Sequence, residues 1–183
     1  MPMTSQAAFE PAQPDVCPLA YLITFTCYGT RLHGDAKGTV DRHHNLPGTP
    51  LVAPSPKRTE LAASQMRAEA YLLDEPRRRC VLDVIVETCA ARQWRLHAAH
   101  IPETHIHLVV AADRSPETVM NTVKAYATRR LKSAGGESGD RRRWTRHGST
   151  KYLWDEKAVA WAVHYVLKEQ GEPMAAYDGC GKT

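Results

Sequence analysis

Residues 104–111 read Thr-His-Ile-His-Leu-Val-Val-Ala. In a β-strand successive side chains point to opposite faces, so His105 and His107 share a face while Ile106 and Leu108 point away from it. Two imidazoles on one face can hold a divalent metal ion. The stretch therefore predicts a strand with a metal-binding face.

The following segment, Ser115 to Lys132, is typical of a helix, with Ser115 as N-cap and Pro116 at the first helical position. Apolar residues repeat every four positions and are predicted to face the sheet: Val119, Val123, Ala127 and Leu131. Tyr126 lies on the neighbouring stripe. We therefore predict that this helix carries Tyr126 back over the histidine face as an oxygen nucleophile.

The remaining elements follow from periodicity and end signals. Strands are predicted at Leu19–Tyr28, Trp94–His100, His105–Ala112 and Thr150–Trp154, the middle two forming a hairpin. Further helices are predicted at Lys57–Leu73, from Pro76 to about Arg92, and from the Asp155 cap to just before Gly171. The helix from Pro76 to about Arg92 has an apolar stripe that comprises Val81, Val84, Ile85, Thr88 and Cys89. The helix that follows Asp155 has one that comprises Val159, Val163, Val166 and Leu167. This order fits an α+β fold, a ferredoxin-like four-stranded antiparallel sheet with helices packed on it, plus a C-terminal helix.

The chain has 183 residues, 43% hydrophobic and 24% charged, which fits one globular domain and excludes a fibrous or wholly disordered protein. Residues 1–16 are predicted to be a flexible tail, 17–171 the domain, with a long loop at 29–56, and 172–183 a C-terminal tail. Five scattered cysteines favour a reducing, cytoplasmic location. No apolar run is long enough for a membrane span, so no membrane partner is expected.

Positive charge is concentrated rather than abundant, since the net charge is only +4. Between Lys124 and Lys151 nine basic residues face two acidic ones, and aromatic residues are interleaved among them. A solvated surface is an equally ordinary explanation of such a run, but its position after Tyr126 favours phosphate contact. The predicted DNA contacts are Arg31, Lys124, Arg129, Arg130, Arg141, Arg142, Arg143, Arg146 and Lys151.

This combination suggests phosphodiester chemistry. Imidazoles suit Mn²⁺, Zn²⁺, Ni²⁺ or Co²⁺, and Mg²⁺ can be held when substrate phosphate supplies oxygens. The metal would polarise the scissile phosphate, and Tyr126 would attack in line to give a phosphotyrosine link.

Four motifs together resemble the single-tyrosine HUH transposases of the IS200-like family, specifically their REP-associated tyrosine transposase branch. They are His105-Ile-His-Leu-Val-Val110, Tyr21-Leu-Ile-Thr-Phe-Thr-Cys-Tyr-Gly29, Val123-Lys-Ala-Tyr-Ala-Thr-Arg-Arg-Leu131 and His147-Gly-Ser-Thr-Lys-Tyr-Leu-Trp-Asp155. The similarity runs from about Leu19 to Gly171.

The resemblance implies metal-dependent cleavage and rejoining of single-stranded DNA through a 5′-phosphotyrosine, with recognition of a hairpin near the cut. It implies His105 and His107 as ligands of a divalent ion, Mg²⁺ or Mn²⁺, and Tyr126 as nucleophile. Relatives often place a third ligand, such as glutamine, one turn after the tyrosine. Here that position is Arg130, which cannot ligate a metal, so Glu103, water or DNA phosphate are alternatives.

Two other functions stay open at this point: a DNA-hairpin-binding protein without catalysis, and a metal-dependent phosphoesterase that uses water, with Tyr126 merely structural. The oligomeric state is equally open, a homodimer included.

Overall fold

The computed structural model describes residues 17–32, 35, 54–135, 141–172 and 174–179. Its elements, in chain order, are β1 (Ala20–Thr26), α1 (Pro56–Ser64), α2 (Glu75–Ala91), β2 (Arg95–Ile101), β3 (His105–Ala111), α3 (Pro116–Gly135), β4 (Ser149–Leu153), α4 (Glu156–Lys168) and β5 (Ala175–Asp178). The predicted tail at 1–16 and most of the predicted loop at 29–56 lie outside the described residues. Within these ranges no helix has the length and apolar character needed to cross a bilayer.

The strands form one antiparallel sheet in the order β4-β1-β3-β2-β5. Without β5, the order 4-1-3-2 and the βαββαβ succession are the ferredoxin-like arrangement, so the predicted α+β fold is confirmed. The histidine stretch forms the central strand β3. Its residues pair with β1 from Tyr21↔Val110 to Thr26↔His105.

The predicted count of four strands is wrong, because β5 forms within residues 172–183, which were expected to be a tail. Its sequence, Ala-Ala-Tyr-Asp, is short and lacks β-branched residues. The strand exists because β2 offers an open edge, along which pairs run from Ala98↔Asp178 to Ile101↔Ala175. Tertiary pairing, rather than local propensity, creates this element.

One face of the sheet is covered by α2 and α3. The apolar stripe predicted for α2 is buried there, as are Val119, Val123, Ala127 and Leu131 of α3, so these helix assignments are confirmed. From β3, the side chains of Ile106, Leu108 and Val110 join this core. Their alternation therefore turns His105 and His107 to the opposite face.

Helix α4 covers that opposite face. It begins at Asp155, whose carboxylate accepts a hydrogen bond from the backbone N–H of Ala158 at 2.8 Å, as predicted for an N-cap. Val166 of α4 packs in a small core with Val109 of β3 and Leu22 of β1. Only this helix therefore lies over the histidine side among the described elements.

Helix α1 is shorter than the predicted Lys57–Leu73. It ends at Ser64, and Tyr71 and Leu73 are buried in irregular backbone rather than on a helix face. Each makes a backbone hydrogen bond to another part of the chain: Tyr71 N–H to the Tyr28 oxygen and Leu73 N–H to the Glu103 oxygen, both at 2.8 Å. These long-range bonds replace the helical ones.

Candidate active site

The two histidines of β3 lie side by side, as predicted. The ring centroids of His105 and His107 are 4.7 Å apart and their planes are nearly perpendicular. His107 is buried, with 5% of its surface exposed, whereas His105 is half-buried. Of the two rings, that of His105 is therefore the more accessible to solvent.

The orientation of the His107 ring is set by β1. Thr24 is its cross-strand partner, and the Thr24 hydroxyl lies 2.8 Å from Nδ1 of His107. If Nδ1 carries the proton and donates it to this hydroxyl, Nε2 presents its lone pair. Nε2 is buried and has no hydrogen-bond partner of good geometry among the described residues. This is the arrangement that metal-ligating histidines show.

The electrostatics of His107 suit a ligand. Burial, followed by the neighbouring rings of His105 and His100, lowers the pKa of His107 to about 3, and the adjacent side chain of Gln170 partly opposes the shift. The ring is therefore neutral at pH 7. A neutral imidazole can bind a metal without first releasing a proton.

A third histidine borders the pair. His100 of β2 is the cross-strand partner of His107 and only 3% of its surface is exposed. Its Nε2 accepts a hydrogen bond from the Met174 N–H at 3.3 Å, just before β5 begins. His100 thus joins the histidine pair to the edge strand that the sequence did not predict.

Helix α4 brings a tyrosine and an amide to this place. The Tyr165 ring packs edge-on against His107, with centroids 6.0 Å apart. Gln170, just past the end of α4, has its side chain beside His107 and its Nε2 donating to the Tyr165 backbone oxygen at 3.4 Å. The site therefore contains the two imidazoles of β3, the neighbouring imidazole of His100, a phenol and a carboxamide.

The prediction that α3 carries Tyr126 over the histidine face is wrong. Helix α3 packs on the other face of the sheet, because its apolar stripe joins the core formed by Ile106 and Leu108. Tyr126 instead lines a small surface cavity of about 200 Å³ between α2 and α3. There its hydroxyl accepts a hydrogen bond from Arg92 at 3.3 Å, which lowers the pKa of Tyr126.

Arg130 lies one turn after Tyr126, at the position where relatives often have a third metal ligand. In the structure it forms an ion pair with Glu87 on α2. The turn following Tyr165 fits the relatives' pattern better, because it contains Glu169 and Gln170. That signal was present in the sequence and was missed. The importance of Thr24 and His100 had no comparable local signal, since it depends on the strand register.

Two of the predicted DNA contacts are structural. Lys124 is buried, and its Nζ donates to the backbone oxygens of Thr145 at 3.0 Å, His147 at 3.3 Å and Arg146 at 3.5 Å. Burial lowers its pKa to about 8. Arg143 is 2% exposed, donates to the Arg141 oxygen at 3.1 Å and packs on the Tyr71 ring. Neither side chain is available to a DNA strand.

The other predicted contacts are at the surface but on different sides. Lys151 shares a face of β4 with buried Leu153, two residues later, so it lies on the histidine side of the sheet. Arg129 stacks over the Tyr126 ring on the α3 side, near the Arg130–Glu87 pair. The side chains of Arg31, Arg142 and Arg146 are exposed, and that of Arg141 is half-buried over the Tyr71 ring.

The assignment of Lys124 predicts a stability effect. Lys124→Met should lower the free energy of unfolding by roughly 2–4 kcal/mol, because three carbonyl oxygens lose their buried donor. Lys132→Met, an exposed position of the same helix, should change it by less than about 0.5 kcal/mol. Urea denaturation of both variants measures this. A Lys124→Met protein as stable as wild type but impaired in DNA binding would restore the original interpretation.

Among the described residues, no group of three or more His, Cys, Asp or Glu side chains is placed to hold a metal ion. Among these residues, a side chain of another type could complete the ligand set of a metal at this site. The carboxamide oxygen of Gln170 is such a donor, and it is adjacent to His107.

No curated protein matches the chain. The solved structures that are similar to the chain include the following two. A REP-associated tyrosine transposase bound to a REP hairpin has 11% identity and a TM-score of 0.46, covering 91% of this chain and 72% of that one. A crystal structure assigned as a candidate transposase from Deinococcus radiodurans R1 has 15% identity and a TM-score of 0.41, covering 86% and 95%.

The family model decides the assignment, and the two structures add no argument at these TM-scores. The model described as "Transposase IS200 like" matches residues 63–172, a range that contains the histidine pair, α3 and α4. It spans more than half of the 183 residues. The chain belongs to the family of IS200-like transposases.

Proposed function

We propose that this transposase cleaves single-stranded DNA next to a hairpin and transfers the strand through a 5′-phosphotyrosine on Tyr165. The observation that carries the proposal is the contact of Tyr165 with His107 on the α4 side of the sheet. Tyr126, on α3, is separated from that pair by the sheet itself. The proposed chemistry is the one predicted from the sequence, with Tyr165 of α4 as the nucleophile instead of Tyr126 of α3.

The donor set fits a divalent ion. His107 offers a neutral, buried Nε2 without a partner of good geometry, Thr24 fixes the ring from behind, and His105 lies beside it. These imidazoles, with the Gln170 carboxamide as third donor, would hold Mg²⁺ or Mn²⁺. When bound, the ion supplies positive charge that polarises the scissile phosphate and offsets charge in the transition state.

The side chains of the protein have separate roles in the proposed cleavage. The Tyr165 hydroxyl oxygen attacks phosphorus and the 3′-oxygen of the preceding nucleotide leaves, so the 5′-phosphate becomes linked to the protein. A 3′-hydroxyl of another strand reverses this step and rejoins the DNA. His107 and Trp161 hold the tyrosine ring between them, since Trp161 stacks on Tyr165 at 5.3 Å. This limits the positions that the hydroxyl can adopt.

Positive charge on the histidine side is supplied by Lys151 of β4 and Lys168 of α4, both exposed. Phosphate contacts of this kind fix the strand's position without reading its sequence. Arg129 and Arg142 remain proposed contacts for the more distant DNA, including the hairpin. Because Tyr165 and the histidines meet within one chain, the proposed cleavage does not require a second subunit. A homodimer is compatible with this arrangement.

The test is incubation with a single-stranded oligonucleotide that carries a hairpin, with Mn²⁺ or Mg²⁺, followed by denaturing gel electrophoresis. We expect a covalent protein–DNA adduct that requires the metal. Tight hairpin binding without cleavage under either metal would support a catalytically inactive DNA-binding protein instead. Metal-dependent cleavage without any adduct would support a phosphoesterase that uses water.

A further inference from the structure

The exposed side of α4 combines aromatic and basic residues. Lys157, Trp161, His164 and Lys168 follow one another at i, i+4, i+7 and i+11, which places them on one stripe of the helix, and all four are exposed. The two lysines are about 16 Å apart along the helix axis. This stripe borders the candidate active site, because Tyr165 is next to it.

Trp161 is the centre of the stripe. Half of its surface, 50%, is exposed, which is a large apolar area to leave in water. Its ring is nearly parallel to that of Tyr165, at an interplanar angle of 16° and a centroid distance of 5.3 Å. Because Tyr165 in turn contacts His107, the indole extends a row of rings from the histidine pair to the surface.

Exposure alone does not single out Trp161, since isolated apolar residues at a surface are common. Trp154 is exposed to a similar extent, 52%, and stacks on Tyr152 at 5.8 Å. However, Tyr152 contacts Tyr21, whose ring belongs to the core on the α2 and α3 side. Trp154 therefore offers a matched comparison: an exposed, stacked indole away from the histidines.

We propose that Trp161 stacks on a nucleobase of the single-stranded DNA beside the scissile phosphate, while Lys157 and Lys168 contact phosphates on either side. The inference rests on the proposed cleavage at Tyr165 and adds the residue that positions the strand there. Every base has a π face, so such stacking is tolerant of sequence. Trp161 would thus set where the strand lies, and other contacts would read its sequence.

The proposal is tested by moving a single abasic site along the single-stranded flank of a hairpin oligonucleotide. Dissociation constants are measured by fluorescence anisotropy in the Tyr165→Phe background, where the aromatic ring is kept and no cleavage occurs. At one position, or two adjacent ones, loss of the base should weaken binding about 5- to 100-fold. When Trp161→Ala is added, an abasic site at that position should no longer weaken binding. The Trp161→Phe variant should keep part of the weakening, and the Trp154→Ala variant should keep all of it.

Equal abasic effects with and without Trp161 would overturn the proposal, as would an effect that Trp154→Ala removes. Absence of measurable DNA binding would also overturn it. The half-exposed position of Trp161 means that the alanine variant should fold, which a thermal melt confirms independently. Failure of the proposed function would appear elsewhere, as a missing covalent adduct in the protein with Tyr165 intact, so the two failures are distinguishable.

Discussion

Tyr165→Phe is expected to abolish the covalent protein–DNA adduct, with a loss of at least about 10³-fold in the rate of its formation. The substitution removes only the hydroxyl that would attack phosphorus and keeps the ring that packs against His107 and Trp161. Single-turnover incubation with a 3′-labelled hairpin oligonucleotide, followed by denaturing electrophoresis, measures the rate. Binding of the same oligonucleotide should change little.

Tyr126→Phe is the matched control, because it removes the same atom from a tyrosine of the other helix. Its exposed hydroxyl interacts with Arg92 and Arg129 on the α3 side of the sheet, so adduct formation should remain within about threefold of wild type. The reverse pattern, with activity lost in Tyr126→Phe and kept in Tyr165→Phe, would refute the geometric assignment. It would require α3 to act from a different chain or in a different conformation.

The second large effect is expected at the histidine pair. His107→Ala should abolish both Mn²⁺ binding and cleavage, because the variant loses the imidazole whose buried Nε2 has no hydrogen-bond partner of good geometry among the described residues. Thr24→Val keeps the ligand and removes only the hydroxyl behind Nδ1. We expect it to weaken Mn²⁺ binding about 10- to 100-fold, as for other residues that orient a ligating histidine.

Calorimetric titration with Mn²⁺ in the absence of DNA measures this without reference to activity. His147→Ala, which removes an exposed imidazole preceding β4, is the control and should bind Mn²⁺ as wild type does. Unchanged Mn²⁺ affinity in His107→Ala would show that the pair is not the metal site. Weak binding by every protein without DNA, strengthened by an oligonucleotide, would indicate that DNA phosphate supplies a ligand.

Local sequence patterns were sufficient for most of the scaffold. The alternation of His105 to Val110 identified β3 and its two faces, and the stripe from Val81 to Cys89 identified the buried face of α2. In both cases periodicity alone reports burial. The family resemblance, drawn from four short motifs, is confirmed by the match over residues 63–172.

The prediction that α3 lies over the histidines failed because helix periodicity shows which face of a helix is apolar but not which side of the sheet the helix covers. A topological argument was available. The crossovers β1-α2-β2 and β3-α3-β4 share one hand, so both helices pack on one face. The sheet face under these two helices must be apolar, so it is the face that carries Ile106 and Leu108. The histidines therefore lie on the other face, which α4 covers.

The surroundings of His107 and the strand β5 depend on contacts between distant segments, which no short stretch of sequence encodes. Thr24 and His100 flank His107 only because three strands share a register. Strand β5 forms only against the edge of β2. By contrast, a tyrosine followed by two polar side chains, Glu169 one turn later and Gln170 next to it, was visible after Tyr165 and was outweighed by the basic residues around Tyr126.

The most direct test of the central claim, that Tyr165 is the nucleophile, is to locate the nucleotide on the protein. The adduct is digested with nuclease and trypsin and the peptides are identified by mass spectrometry. Tyr165 is the sole tyrosine of the tryptic peptide 158–168, and Tyr126 that of peptide 125–129. We predict a nucleotide-modified 158–168 and an unmodified 125–129. Modification of 125–129, with 158–168 unmodified, would contradict the assignment.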